Sequence, residues 1–512
     1  MRKIKKSMRA FWGILLLWFV GLQLHAQPVQ SVFQGCRRGK VPPHAIQQRA
    51  RRAFPSDPAN NPYLGQRRQL TVLAAFADRP FKGNESATLI QWGKIFNTVN
   101  LSEGAFVGSV RDYFAAQSYD GLQLSFDLQY VALPFNHGKY GSTREDDENS
   151  QYLVDDIIDI LRQRDIDWSL YDWNGDGEIE QLLIVFAGKG SGYGGFGGDR
   201  NSIWPHQWWM SWHIDQQASG STEKFREPLV VNSSGTDYIV DRYCVLQEQS
   251  SQGDYSIFGT LCHEYSHCLG LPDFYNGDTQ YVGQWDLMDY GNNNGGGFCP
   301  CGYSAHERML MGWLTPIELL QPCQVSDMPA VSEEPVAYLV RNDGWKDEYY
   351  IVENRQRRGW DTYLPGSGIV VFHIDYSPDV WISFTEMPNS SVKKRYTIIP
   401  ANNQSMAYSF YMAGWAYPYM NNNELTDSSL PSSMLNNRNI DGSLYMGKPL
   451  TDIRVDDGLA SFVFCDGASA IGSPNIESFP AASRVLYSCG PLDIVRLSDG
   501  SIQKVITSRR RR

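Results

Sequence analysis

The stretch TLCHEYSHCLGLPD, residues 260–273, limits this chain more than any other part of it. On a helix, residues four apart lie about 40° from each other around the axis and neighbours lie about 100° apart. A helical 260–268 therefore turns His263, Glu264 and His267 toward one cleft. Two neutral imidazoles suit zinc, and a carboxylate held off the metal can take a proton from zinc-bound water. Gly270 has access to the left-handed backbone that ends a helix. Asp273, six residues past His267, then arrives where a third ligand leaves one zinc position open. Glu307, on the helical stretch SAHERMLMGW, competes for that third place. The bland alternative is an amphipathic helix with surface histidines. With nine histidines in 512 residues, the spacing rarely arises by chance.

WDLMDYG (285–291) adds a second agreement. Met288 follows His267 by about twenty residues, the distance of the Met-turn beneath the metal in metzincins. Tyr290, two residues on, is placed to donate a hydrogen bond to the oxyanion of a tetrahedral intermediate. An isolated methionine is otherwise core. His206, His306 and His373 read as packed or surface histidines rather than ligands. The glycine-rich runs 188–198 and 291–297 lack the order of a phosphate cradle and read as flexible loops rimming a cleft.

Together, HEYSHCLGLPDFY, WDLMDYG and SAHERMLMGWLTP resemble the immune inhibitor A family of secreted zinc metalloproteases. So do LTVLAAFAD, GSVRDYFAAQS, YDWNGDGEIEQLLIVFAG and IWPH before them, and EYYIVENRQRRGWD with LPGSGIVVFHIDY after them. The resemblance runs in order over about residues 66–376. It implies His263 and His267 as zinc ligands, Glu264 as catalytic base and Asp273 as third ligand. Typical metzincins carry a third histidine where this chain carries Asp273.

Asp172, Asn174, Asp176, Glu178 and Glu180 form a second oxygen-rich group. Side chains at positions 1, 3 and 5 with Gly177 at 6 match the first half of an EF-hand loop, so Ca2+ is the cation expected there. Position 12 is Leu183, so the loop is not a complete EF-hand. A hydrated acidic turn is the plain alternative.

Residues 1–26 have the layout of a secretory signal peptide: a basic start, the apolar run 13–24, then Ala26 as the small residue before the cut. Twelve apolar residues fall short of the ~20 that span a bilayer. The product is expected to be secreted, with no stable membrane span. Outside the cytosol its nine cysteines can pair, and an odd number leaves at least one unpaired. Residues 27–65 are polar and Pro- and Arg-rich and read as a pro-segment or linker. Residues 66–316 mix helices with strands and form the expected catalytic domain. From 317 to 466 short strand-like runs (PVAYLVR, EYYIVENR, GSGIVVFHIDY, KRYTIIPA, ASFVFC) predict a β-rich companion. The tail 467–512 is weakly similar to β-sandwich tails that serve export and surface sorting.

The fold class expected is thus α+β: a zincin-like, metzincin-like catalytic domain followed by a β-rich, sandwich-like C-terminal region. A hydrophobic share of 42% and a charged share of 20% exclude wholesale disorder. A net charge of −11 argues against a nucleic-acid partner, whose phosphates need neutralising. Protein or peptide substrates are expected, with export machinery as a partner of the tail. Two rival functions stand beside proteolysis. One is an inactive protease-like module that binds glycan or protein; an intact Glu264 argues against it. The other is a glycoside hydrolase, which needs a pair of carboxylates that no sequence feature singles out.

Overall fold

The structure is a computed structural model. It describes residues 61–466 apart from 142–148, 193–198, 200, 214–225 and 384–385, together with the backbone of three strands beyond 483. The signal peptide, residues 27–60 with Cys36, part of the 188–198 glycine run, and most of the tail lie outside the described residues.

The first sheet is built from β1 (Gly65–Ala75), β2 (Leu122–Ala132), β3 (Leu182–Lys189), β4 (His206–Trp209) and, after the hairpin β5 (Leu229–Ser233) and β6 (Thr236–Val240), β7 (Arg242–Gln249). Its order is β2-β1-β3-β7-β4. The first four of these strands run parallel, and β4 pairs antiparallel with β7 at the edge. Parallel strands covered on both faces need apolar residues throughout, and β1 and β3 supply them. Leu73, Leu183 and Val185 enter one core, and Val72, Leu182, Ile184 and Phe186 enter the core on the opposite face.

Helices cover both faces. α1 (Glu85–Asn97), α2 (Val110–Gln117) and α4 (Phe258–Cys268) bury residues in the first core. α3 (Ser150–Leu161) lays Leu153, Ile157, Ile158 and Leu161 on the second core. The start of α2 is set locally: Ser109 accepts from the Asp112 N–H, and Asp112 accepts from the Ser109 N–H. That reciprocal cap satisfies two donors that a helix start leaves unpaired.

Beyond α5 (Ala305–Leu310) the architecture becomes β-rich. β8 (Ile317–Glu318), β9 (Cys323–Met328), β10 (Tyr338–Arg341), β11 (Glu348–Arg355), β12 (Gly368–Asp375) and β13 (Tyr396–Ile398) come first. β14 (Leu450–Asp456), β15 (Leu459–Phe464), β16 (Arg484–Cys489), β17 (Leu492–Arg496) and β18 (Ile502–Ile506) follow. The second sheet has the order β13-β12-β11-β10-β8 and the third β14-β15-β9-β16-β17-β18. Tyr350, Val352 and Val371 of the second sheet share a core with Val325, Phe462 and Phe464 of the third.

The change of pattern at 317 is a change of architecture and not a break in packing. Ile351, Val370, Phe372 and Tyr396 belong to the same core as Leu73, Phe114 and Leu261. At the other boundary, residues 61–64, placed by composition in the pro-segment or linker, are docked into the fold. The Asn61 amide donates to the Met311 carbonyl, and the Trp313 indole N–H donates to the Tyr63 carbonyl. Part of the tail is likewise strand: Ser488 pairs with Gln324, which carries β16–β18 onto the third sheet. The glycine run 291–297 is packed rather than loose. A Cβ at Gly259 in α4 would collide with the Asn292 carbonyl oxygen, and one at Gly297 with that of Ser256. Cys262, Cys268, Cys299, Cys301 and Cys465 carry free thiols.

Candidate metal centre

α4 is buried along its whole length. It stops where Gly270 takes φ +107°, a region that L side chains rarely enter. The turn folds the chain back on the helix. The Leu271 N–H donates to the Ser266 carbonyl at 3.2 Å, and the Leu271 carbonyl lies 2.7 Å from His267 Nδ1. His263 Nδ1 lies 2.9 Å from the Leu287 carbonyl. A carbonyl can only accept, so both rings carry their proton on Nδ1 in these bonds and turn a bare Nε2 the other way.

Both Nε2 atoms meet the same oxygen. Asp273 Oδ1 lies 3.1 Å from that of His263 and 3.2 Å from that of His267. His263, His267 and Asp273 are the one group among the described residues that brings three donor side chains within 4.8 Å, and all three are buried. Asp273 Oδ1 has no hydrogen-bond donor among the described residues. Lone pairs converging in a dry site repel one another unless a cation sits between them. Ligands at about 2.0–2.2 Å in a tetrahedron stand roughly 3.3 Å apart, close to the separations observed, so the donors fit zinc.

Glu264 is buried beside this trio. Desolvation pushes its carboxyl up to about 8; Asp273 adds to the rise, while His263 and the Gln207 backbone N–H oppose it. Its Oε2 has no hydrogen-bond partner among the described residues. A carboxylate kept out of water and raised in this way holds a proton readily near neutral pH.

The turn after α4 is tied to the WDLMDYG segment. The Phe274 N–H donates to the Met288 carbonyl at 2.9 Å, and the Met288 N–H donates to Asp286 Oδ1 at 2.8 Å. Asp289 Oδ2 accepts from the N–H groups of Tyr281, Val282 and Gly283, each at 2.8 Å. Met288 is fully buried in the first core.

The remaining predicted residues make contacts of their own. Glu307 caps α5, its Oε2 accepting from the Ser304 N–H at 2.6 Å and from Ser304 Oγ at 3.0 Å. Tyr290 is partly buried; its hydroxyl makes no hydrogen bond among the described residues, and its N–H donates to the Gly283 carbonyl. In the 172–180 loop, Asp172 accepts from the N–H groups of Gly175, Asp176 and Gly177, and Glu180 accepts from that of Trp173. Its carboxylates do not form a second three-donor group within 4.8 Å. His306 is fully buried, and His373 is paired with Glu348 at 2.7 Å. The sequence reading missed the orienting carbonyls of Leu271 and Leu287 and the Gln207 N–H. Only the first two had a signal, since they neighbour Gly270 and Met288.

Residues 92–311 match the immune inhibitor A peptidase M6 catalytic domain. The chain is also similar to the pre-pro-metalloprotease PrtV of Vibrio cholerae serotype O1 (strain M66-2), 25% identical over 339 residues. That alignment covers 56% of this chain and 35% of PrtV. Immune inhibitor A of Bacillus thuringiensis subsp. alesti is 26% identical over 223 residues, covering 37% of this chain and 29% of that protein. The chain thus spans about a third of the length of these curated relatives. The resemblance seen in the motifs is borne out: the segment that carries His263, Glu264, His267 and Asp273 matches the catalytic domain of the immune inhibitor A, peptidase M6, family.

Proposed function

We propose that this chain is a secreted zinc endopeptidase whose metzincin-like catalytic domain, 66–316, cleaves protein substrates. The observation that carries the reading is the convergence of two imidazole Nε2 atoms on Asp273 Oδ1, with the Glu264 carboxyl alongside. When bound there, zinc supplies Lewis-acid polarisation of the scissile carbonyl and lowers the pKa of a coordinated water toward ~7. His263, His267 and Asp273 hold the ion, with the carbonyls of Leu287 and Leu271 keeping both rings in the ligating tautomer. Glu264 takes the proton of the attacking water and passes it to the leaving amine. Tyr290 donates to the developing oxyanion, and Met288 underlies the site.

Export by the signal at 1–26, latency imposed by 27–65, surface sorting by the tail and Ca2+ at Asp172, Asn174, Asp176, Glu178 and Glu180 belong to the same proposal. The test is degradation of casein or gelatin by mature protein. Activity is lost with a zinc chelator and restored by zinc, and Glu264→Gln keeps its zinc while losing at least ~10²-fold in kcat. Full proteolysis by Glu264→Gln refutes the mechanism. Zinc content of Asp273→Ala beside Glu307→Ala decides the third ligand, and only the first is expected to lose metal.

A further inference from the structure

The third ligand sits in a clamp with two sides. On its N-terminal side, Leu271 returns to α4 through Ser266 and His267. On its C-terminal side, Phe274 is held by residues well beyond the family-matched segment. Asn389 Nδ2 donates to the Phe274 carbonyl at 2.8 Å and to the Tyr396 carbonyl at 2.7 Å. Asn389 Oδ1 accepts from the N–H groups of Arg395 at 3.0 Å and Tyr396 at 3.1 Å, so the amide is satisfied at both ends. The Tyr396 ring stacks on that of Phe274 with centroids 3.7 Å apart.

Tyr396 also reaches the Met-turn. Its hydroxyl donates to Asp286 Oδ2 at 2.8 Å, while the other oxygen of Asp286 holds the Met288 N–H. Between those two residues lies Leu287, whose carbonyl orients His263. One side chain thus supports the loop of one ligand and the orienting carbonyl of another. Asn389 and Tyr396 are fully buried, so these bonds are unscreened by water.

We propose that Tyr396 and Asn389 are positioning residues of the metal centre, so that the β-rich region completes a site whose ligands all lie before it. The proposal rests on the zinc site proposed above. Groups that orient metal ligands typically affect metal affinity or activity by about 10–100-fold.

The experiment uses the mature chain, stripped of metal and reloaded with Co2+. It reads affinity by chelator competition, the visible ligand-field spectrum, and kcat and KM on a peptide. Tyr396→Phe removes one oxygen and keeps the stacked ring; Asn389→Ala cuts the other link. Tyr350→Phe is the control, a buried hydroxyl that bonds the Met434 carbonyl on the opposite face of the same sheet. Each positioning variant is expected to bind Co2+ about 10-fold or more weakly, with an altered spectrum and a fall in kcat at little changed KM. The control is expected to match the wild type. Folded Tyr396→Phe and Asn389→Ala proteins with wild-type affinity, spectrum and kcat overturn the proposal. If only one variant folds, its affinity and spectrum decide alone. A wild-type chain that binds neither Co2+ nor Zn2+ overturns the metal site itself, a separate and distinguishable result.

Discussion

Arg355 offers a quantitative test of how the family-matched segment is joined to the second sheet. Its guanidinium is fully buried on β11. It donates to both oxygens of Asp361 at 2.9 and 2.8 Å, to Glu353 Oε1 at 3.0 Å and to the Gly302 carbonyl at 3.1 Å. Asp361 in turn accepts from the Gly302 N–H at 2.8 Å, three residues before α5. Replacing Arg355 by Met keeps volume but leaves two carboxylates buried without their cation. Breaking a buried pair in this way costs about 3–5 kcal/mol. At ~2–4 °C per kcal/mol, Tm falls by roughly 6–20 °C.

The cost also depends on pH. Burial already pushes the Glu353 carboxyl above its ordinary value against the pull of Arg355. Without Arg355 that rise grows, so the folded variant binds protons more tightly than the unfolded chain. Its stability deficit is therefore full at pH 7.5 and shrinks as pH falls toward ordinary carboxylate values, by up to about 1.4 kcal/mol per pH unit for each proton taken up. Urea unfolding of wild type and variant at pH 7.5 and pH 5 measures both quantities. The triple variant Arg355→Met, Glu353→Gln, Asp361→Asn removes the orphaned charges and should regain most of the loss. A deficit under ~1 kcal/mol for the single variant, or one as large for the triple, refutes the reasoning.

Two further outcomes are expected. Burial lowers the His306 imidazole to about 3, so between pH 6.5 and 3 the unfolded chain binds a proton that the folded chain refuses. Wild-type stability should fall by up to about 1.4 kcal/mol per pH unit as pH drops through that window, and His306→Gln should flatten the slope in urea titrations; an unchanged slope contradicts the assignment. If Ca2+ binds at 172–180, calcium at ~100 times its Kd should stabilise the chain by about 2.7 kcal/mol, seen as a higher Tm. Asp176→Ala should abolish that rise, and a wild-type Tm indifferent to calcium removes the site.

What local chemistry determines was legible before any fold. Helical spacing set the shared direction of His263, Glu264 and His267, and Gly270 marked the turn that returns Asp273 to the histidines. Short strand-like runs bounded by turn residues marked β11 and β12. These signals work because their partners lie within a few residues along the chain. The short strands β8 and β9 carried too few residues to show a period. Which strands neighbour which was also out of reach: β9 lies between β15 and β16, which come more than a hundred residues later.

The sequence by itself determined the residue types of the proposed metal centre, their spacing and the glutamate among them. Tertiary structure alone decided that Glu307 closes a helix start, that residues 61–64 dock on the fold, and that Asn389, Tyr396 and Arg355 reach back to the family-matched segment. Those contacts join residues separated by up to 250 positions. No period or spacing encodes such pairs, because they exist only once separate elements bury a common core.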